Sequence, residues 1–301
     1  MSRDTSFYYS FLVLPPAQRR AIIAVWDFCR VADDAVDQQY ATRLDSPGSA
    51  GGGEANRENL TGSRVAELER WRGELDRAFG NGAPPATPQG QALAHWVRAF
   101  QLTRRHFDTL MAGVEMDLQP RRYERLPELR EYAERVASAV GLICLEIFGV
   151  RDGSADAYAH ELGIALQLTN ILRDVPSDLE AGRIYLLRED QEAAGCTDDM
   201  LREAVAARAI HDERVRALLA RHGAHARRQF ARVAELFPRR HARKLVAAEI
   251  MNAVYRRLLD KIEARHFDVV SERVTVPRPA RARVALGVYL RTLAGIHRPR
   301  S

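Results

Sequence analysis

The stretch FCRVADDAVD, residues 28–37, places three carboxylates in a segment whose other residues favour burial. The apolar residues before it have helical spacing, and on a helix Asp33, Asp34 and Asp37 project from neighbouring positions of one face. Carboxylates crowded in this way repel each other and resist desolvation unless a cation or hydrogen-bond donors compensate. A solvated polar face is the ordinary explanation, but little of this helix is polar enough to face water. The segment therefore favours a shared metal ion.

A second polar cluster follows the same logic on a helix predicted at 154–175 and beyond. Oxygen-bearing side chains recur there at spacings of three or four, at Gln167, Asn170, Asp174 and Asp178. An interhelical polar seam would explain this cluster taken alone. Two oxygen-rich helices in one chain favour two walls of a single site.

Ligands of this kind suit a hard cation, so the sequence predicts Mg²⁺ or Mn²⁺ rather than zinc. Magnesium commonly joins a few carboxylates to substrate phosphates, and each cluster carries an arginine that can bind phosphate, Arg30 in the first and Arg173 in the second. A di-iron carboxylate bundle is the alternative, but it needs paired Glu-x-x-His motifs and the chain offers only Glu263 with His266.

Helical periodicity extends over nearly the whole chain, whereas alternating strand patterns are scarce. With 46% hydrophobic residues, the chain can bury a large core. We therefore predict one all-α domain over 1–301, with a flexible Gly- and Ser-rich loop at about 45–63. Helices are predicted around 16–38, 63–80, 89–117, 127–149, 154–175, 197–220, 222–236 and 239–265.

Charge and cysteine content narrow the function classes. The positive charge, net +5, is carried almost wholly by arginine and concentrates in the C-terminal half with few interleaved aromatics, so nucleic-acid binding is not expected and a weak anionic membrane contact stays open. No apolar run reaches the length of a membrane span, and the N-terminus lacks signal-peptide features. Three cysteines without CxxC spacing indicate reduced thiols. The expected location is the cytoplasm, with a peripheral contact at the inner membrane face as the open alternative.

The residues also resemble a known family, the squalene and phytoene synthases, which join two prenyl diphosphates head to head. The resemblance covers almost the whole chain. Four segments carry it: SFYYSFLVLPPAQRRAI with FCRVADDAVD, GVEMDLQPRRYERLPELREYAERVASAVGLICLEIFG, LGIALQLTNILRDVPSDLEAGRIYL, and ERVTVPRPARARVAL. Within the family, SFYYSF and the C-terminal segment are most similar to the bacterial enzymes that form presqualene diphosphate for hopanoids.

This resemblance implies an α-helical prenyltransferase fold in which the two Asp-bearing helices face each other across a deep apolar cavity. The implied Mg²⁺ ligands are Asp33, Asp37, Asn170, Asp174 and Asp178, with Asp34 supporting the first cluster. Diphosphate would be held by Arg30, Arg173 and Arg183, and Ser6 belongs to the N-terminal substrate-binding stretch. The reaction centre would be lined by Gln167, Tyr132, Tyr185 and Tyr255.

The implied reaction is the Mg²⁺-dependent condensation of two farnesyl diphosphates to presqualene diphosphate, which partner enzymes of the pathway would then consume. Phytoene synthesis from geranylgeranyl diphosphate, and full squalene synthesis with NADPH, stay open as alternatives. The sequence contains no glycine-rich dinucleotide fingerprint, so NADPH is not expected. A non-catalytic assembly factor with the same fold is the remote alternative, and the intact carboxylate clusters argue against it.

Three sequence features qualify the inferred site. Pro176 lies between Asp174 and Asp178, and its ring and missing N–H predict a break in the helix there. Asp117 is expected either to assist the site or to cap a helix end. Gly141 is expected to serve close helix packing or to make room for a prenyl chain.

Overall fold

The computed structural model describes the backbone of residues 8–41, 54–119 and 121–296, and within these it describes the side chains of all residues except 8, 9, 37–41 and 54–61. The described residues form helices and connecting turns, without a β-strand. The predicted all-α fold is therefore confirmed.

Fourteen α-helices follow one another in the described part of the chain. They are α1 (Tyr8–Leu12), α2 (Pro16–Ala41), α3 (Glu54–Ala78), α4 (Pro88–Phe100), α5 (Arg104–Glu115), α6 (Leu126–Ala133), α7 (Ala139–Phe148), α8 (Asp156–Arg173), α9 (Val175–Glu180), α10 (Arg188–Ala194), α11 (Asp198–Ala207), α12 (Glu213–Glu235), α13 (Val246–Ala264) and α14 (Arg278–Leu293). A π-helical turn, Glu134–Ser138, joins α6 to α7, and 3₁₀ turns occupy Met116–Leu118 and Arg239–His241.

Two predicted helices are each divided by local capping. The helix predicted at 89–117 ends where Gln101 adopts a left-handed conformation with φ 47°, and α5 begins after Thr103. The helix predicted at 197–220 stops likewise at Arg208 with φ 50°, and α12 starts after Asp212, whose carboxylate accepts a hydrogen bond from the Arg214 N–H. Helical periodicity continues across both breaks, which is why periodicity alone did not place them.

The region predicted as a loop at 45–63 is partly helical. Residues 45–53 lie outside the described residues, but α3 begins at Glu54 and includes the remainder. The sequence from Glu54 to Leu60, EANRENL, is rich in residues with good helix propensity, which outweighs the preceding glycines. The sequence prediction also missed α14, whose arginine-rich sequence obscures its apolar positions.

Helix α8 lies at the centre of the packing, in contact with α7, α12, α13 and the π-helical turn. The close approach of α8 to the π-helical turn requires glycine at position 163, because a Cβ on Gly163 would lie 2.6 Å from both the Cα and the N of Ser138. A Cβ on Gly141 would similarly lie 2.9 Å from the carbonyl oxygen of Ala159. These contacts confirm the packing role expected of Gly141 and fix α8 against α7.

A buried histidine joins α12 to α8. His222 is 1% exposed, and its Nε2 lies 2.9 Å from the Leu168 carbonyl oxygen, so this nitrogen carries the proton and donates. Burial lowers the pKa of His222 to about 4 from its ordinary 6.5. The folded protein therefore holds this imidazole neutral.

Acidification is expected to destabilise the protein through His222. Between pH 6.5 and about 4 the unfolded chain protonates this residue while the folded chain does not, so stability falls as the pH is lowered through that window. The shift corresponds to about 3 kcal/mol, read as an order of magnitude. Urea unfolding at a series of pH values would measure it. His222→Gln should flatten the dependence of the free energy of unfolding on pH, whereas His95→Gln, at an exposed position, should not. The same pH dependence in both variants would contradict the assignment.

No helix in the described part of the chain is long and apolar enough to span a membrane.

Candidate active site

One cavity of about 1000 Å³ lies among α2, α5, α7, α8 and α13 and the segment leading into α14. Much of its lining is apolar and includes Phe11, Val25, Trp26, Val136, Leu162, Leu166, Met251 and Leu258. Gly141, Gly163 and Ala137 also line it, so the small residues that allow close helix packing also widen the cavity. A deep, mainly apolar cavity of this size can hold long hydrocarbon chains.

Helix α2 supplies the first polar wall. Arg30 and Asp33 line the cavity, and both are exposed, so this wall lies where the cavity opens to solvent. The apolar residues around the first Asp cluster suggested that its carboxylates are buried. For Asp33 this is wrong, because the side chain lies on an open cavity rather than against another helix. Asp34 does not line the cavity; its carboxylate lies 3.8 Å from Arg30. The side chain of Asp37 and all of Ser6 lie outside the described residues.

Helices α8 and α9 supply the second polar wall. Its cavity-lining members are Gln167, Asn170, Arg173, Asp174 and Asp178. The helix break predicted from Pro176 is present: α8 ends at Arg173, and Asp174 has φ −99° and ψ 13°. The Asp178 N–H still donates to the Asp174 carbonyl at 2.9 Å, and Asp178 lines the cavity, so the helix break does not carry it away from the site.

Arginines hold Asp174 from two directions. Arg173 donates to both of its carboxylate oxygens, and Arg273 donates to Oδ1 at 2.9 Å. The Arg173 side chain is only 14% exposed and also hydrogen-bonds the Tyr255 phenol. Burial alone would lower the pKa of Arg173, but the hydrogen bond and charge of Asp174 outweigh it and raise the pKa further. Two guanidinium groups thus lie beside the second wall.

Two tyrosines and one aspartate form a compact cluster on the cavity. The Tyr132 and Tyr185 rings stack with centroids 5.1 Å apart, and each hydroxyl donates to Asp117 at 2.8 Å. Burial first, and the charge of Asp117 second, raise the pKa of both phenols well above the ordinary value of 10. Both tyrosines are therefore neutral hydrogen-bond donors at neutral pH, and Asp117 belongs to the site rather than to a helix cap.

Replacing Asp117 by asparagine is expected to lower the pKa of Tyr132 and Tyr185, because the negative charge that opposes phenolate formation is removed. Burial persists, so both pKa values should stay above 10. Absorbance of tyrosinate during an alkaline titration measures the shift. The Asp117→Asn/Tyr185→Phe variant should show a smaller tyrosinate absorbance in the shifted transition, because one of the two phenols is removed. An unchanged titration in Asp117→Asn would show that burial alone sets these pKa values.

Sequence reasoning missed the arginines of the C-terminal segment. Arg273, Arg278 and Arg281 all line the cavity, far along the chain from either Asp cluster. The ERVTVPRPARARVAL segment contains them, but nothing in their spacing distinguishes them from the other arginines of the C-terminal half. Among the predicted residues with described side chains, Arg183, Tyr132, Tyr185 and Tyr255 join Arg30, Asp33 and the second wall on the same cavity, while Asp34 lies beside it.

The donor set suits a hard cation that is held together with an anionic ligand. Asn170 Oδ1 is buried and accepts no hydrogen bond within the described residues, so the second wall contains a buried oxygen that is available as a metal ligand. No three His, Cys, Asp or Glu side chains in the described part of the chain cluster tightly enough to hold a metal alone. Magnesium commonly completes its shell with water and substrate phosphates, so the residues fit Mg²⁺ bound jointly with diphosphate.

Solved structures of other proteins share this architecture. A dehydrosqualene synthase crystal structure superposes with a TM-score of 0.74 at 25% identity, covering 97% of this chain and 93% of its own. A squalene synthase from Alicyclobacillus acidocaldarius superposes with a TM-score of 0.65 at 27% identity, covering 87% of this chain and 89% of its own. The fold is therefore that of the α-helical isoprenoid synthases.

The family model for squalene/phytoene synthase matches residues 1–280, and the chain belongs to this family. A presqualene diphosphate synthase of Sinorhizobium fredii is 36% identical over 90% of this chain and 88% of its own length. A 15-cis-phytoene synthase of Synechocystis is 33% identical over 91% of this chain and 77% of its own. The protein is thus an enzyme, a synthase of the prenyltransferase type.

Proposed function

We propose that the enzyme joins two farnesyl diphosphates head to head to give presqualene diphosphate, with Mg²⁺ as cofactor. The observation that carries this proposal is the pairing of two polar walls, one on α2 and one on α8–α9, on a single cavity that is otherwise largely apolar. The polar walls suit diphosphate groups, and the apolar lining suits prenyl chains.

Each polar side chain then has a role in binding. Mg²⁺ would be held by Asp33 and Asp37 on the first wall and by Asn170, Asp174 and Asp178 on the second, and when bound it would neutralise charge that develops on the leaving diphosphate. Arg30, Arg173 and Arg183 would bind diphosphate oxygens, and Ser6 would belong to the substrate-binding stretch near the N-terminus. Asp34, 3.8 Å from Arg30, would position that arginine rather than contact substrate.

The reaction breaks the allylic C–O bond of one substrate, and diphosphate leaves with the electron pair. The arginines stabilise the negative charge that grows on the departing diphosphate in the transition state. This electrostatic stabilisation is the larger part of what the site must supply. The alkene of the second substrate attacks the allylic cation, and loss of one proton closes the cyclopropane ring of the product. Gln167, Tyr132, Tyr185 and Tyr255 would line the site of this attack.

The cavity suits a reactive cation because it offers few competing nucleophiles. Burial raises the pKa of the Cys144 thiol to about 12 and raises that of Cys29 as well, so both cavity-lining thiols stay protonated. Tyr132 and Tyr185 are neutral, and their ring faces can stabilise positive charge. A bound cation would therefore meet the second alkene before a thiolate or a phenolate.

The likeness to named presqualene diphosphate synthases favours farnesyl diphosphate as substrate and presqualene diphosphate as the end product, which enzymes that ionise it again would consume. Phytoene synthesis from geranylgeranyl diphosphate is the second candidate, because phytoene synthases match the chain at similar identity. NADPH has no part in the proposed reaction.

Product analysis distinguishes these candidates. The purified protein is incubated with Mg²⁺ and farnesyl or geranylgeranyl diphosphate, with and without NADPH, and the products are identified by mass spectrometry. We expect faster consumption of farnesyl diphosphate, accumulation of presqualene diphosphate and no effect of NADPH, and we expect no activity in EDTA. Phytoene from the longer substrate, or squalene only with NADPH, would replace the proposal with the corresponding alternative.

A further inference from the structure

Helix α14 exposes an apolar face that nothing in the described part of the chain covers. Its buried face consists of Arg281, Ala285, Val288 and Thr292, which pack toward α13 and α1. Its outer face consists of Leu286, Tyr289, Leu290 and Leu293, followed by Ile296. These residues recur at spacings of three or four, so they form one continuous stripe along the helix.

This stripe contains most of the exposed large apolar side chains of the described residues. Seven such side chains are found, and five lie between Leu286 and Ile296, with exposed fractions from 36% to 58%. A sixth, Leu12, is on α1, which packs against α14. Single exposed leucines are common, but a clustered patch marks a binding surface.

The charge around the stripe identifies the partner. After Glu272 the sequence contains seven arginines and no aspartate or glutamate. Arg283 and Arg291 are exposed on α14 itself, beside the apolar residues. An exposed apolar stripe on a helix whose own charged side chains are all cationic is complementary to a bilayer with anionic headgroups, where apolar side chains enter the acyl boundary and arginines meet phosphates.

The same helix reaches the catalytic cavity. Arg278 and Arg281, in its first turns, line the cavity, and Arg278 is exposed where the cavity opens. Leu286 lies eight residues further on, about 12 Å along the helix axis. A membrane surface that binds the stripe would therefore lie beside the opening through which prenyl substrates and product pass.

We propose that α14 is a membrane-docking helix, which binds the surface of an anionic phospholipid bilayer through Leu286, Tyr289, Leu290 and Leu293. A second copy of the chain is a poorer occupant, because a two-fold symmetric contact through this face would bring the arginines of both copies together without compensating carboxylates. This inference goes beyond the proposed reaction and does not depend on it.

Vesicle co-sedimentation tests the proposal without any substrate. The full chain is mixed with phosphatidylcholine vesicles, with or without phosphatidylglycerol, and the bound fraction is measured. We expect binding to the mixed vesicles that weakens in high salt, and a loss of at least about tenfold in partition coefficient for Leu290→Ser/Leu293→Ser, since two leucines leave the apolar phase. Arg283→Gln/Arg291→Gln should lose the preference for phosphatidylglycerol.

Matched variants keep the test specific. Val65→Ser removes an exposed apolar side chain of α3, and Arg98→Gln/Arg208→Gln removes two exposed arginines elsewhere; both should bind vesicles like the unmodified protein. Circular dichroism and turnover in detergent confirm that the α14 variants fold. Unchanged binding in Leu290→Ser/Leu293→Ser would overturn the proposal. The proposal would also be overturned if sedimentation velocity showed that the unmodified protein is a dimer and the variant a monomer, and the unmodified protein did not bind vesicles.

Discussion

Asp33→Asn and Asp174→Asn are each expected to lower turnover of prenyl diphosphate by about a thousandfold or more, because each removes charge from a different polar wall. Both side chains line the same cavity, one from α2 and one from the end of α8. Steady-state assays at saturating substrate and Mg²⁺ measure the loss, and Asp108→Asn, an exposed aspartate of α5, is the control. Near-normal turnover in either variant would rule out the two-wall mechanism.

The stability of the two variants separates the structural roles of the walls. Asp174→Asn leaves the buried Arg173 without its charged partner, so we expect a loss of about 1–3 kcal/mol in the free energy of unfolding. Asp33 is exposed, so Asp33→Asn should change that free energy by less than about 0.5 kcal/mol. Urea unfolding without Mg²⁺ makes the comparison. A loss in Asp174→Asn as small as that in Asp33→Asn would show that the contacts of Arg173 do not depend on this charge.

Gly163→Ala is expected to lower the free energy of unfolding by about 3 kcal/mol, because its Cβ would overlap the backbone of Ser138, which cannot move like a flexible side chain. The distance is 2.6 Å to both Ser138 Cα and N. The displacement would also shift α8 and its polar wall, so turnover should fall with stability. Both quantities can be measured by urea unfolding and by the product assay.

Gly73→Ala is the matched control for that variant. Gly73 lies within α3, where a Cβ would meet nothing within 4 Å. Alanine there should raise stability by about 0.5–1 kcal/mol through its better helix propensity. If Gly163→Ala caused no loss of stability, α8 and the π-helical turn would be free to separate, and the close contact would not be needed to place the wall.

Much of the site could be predicted from local spacing. Carboxylates at i and i+4 on a helix share a face, so their spacing predicts that Asp174 and Asp178 lie on one wall, and Pro176 predicts a helix break nearby, which the structure has at Asp174. The Arg273 contact with Asp174 could not be predicted, because it joins residues 99 positions apart on different elements. Tyr132, Asp117 and Tyr185 are similarly brought together from three separate elements.

The sequence by itself determined the all-α class, the helix periodicity and the two clusters of oxygen ligands, because these depend on interactions within one or two helical turns. Only the tertiary structure decided that Asp33 is exposed on an open cavity, that Arg273 reaches the second wall, and that α14 keeps an uncovered apolar face within the described part of the chain. Those features depend on which helices pack together and which faces remain exposed. Helix packing is set by long-range contacts such as the Gly163–Ser138 approach, which local residue patterns do not specify.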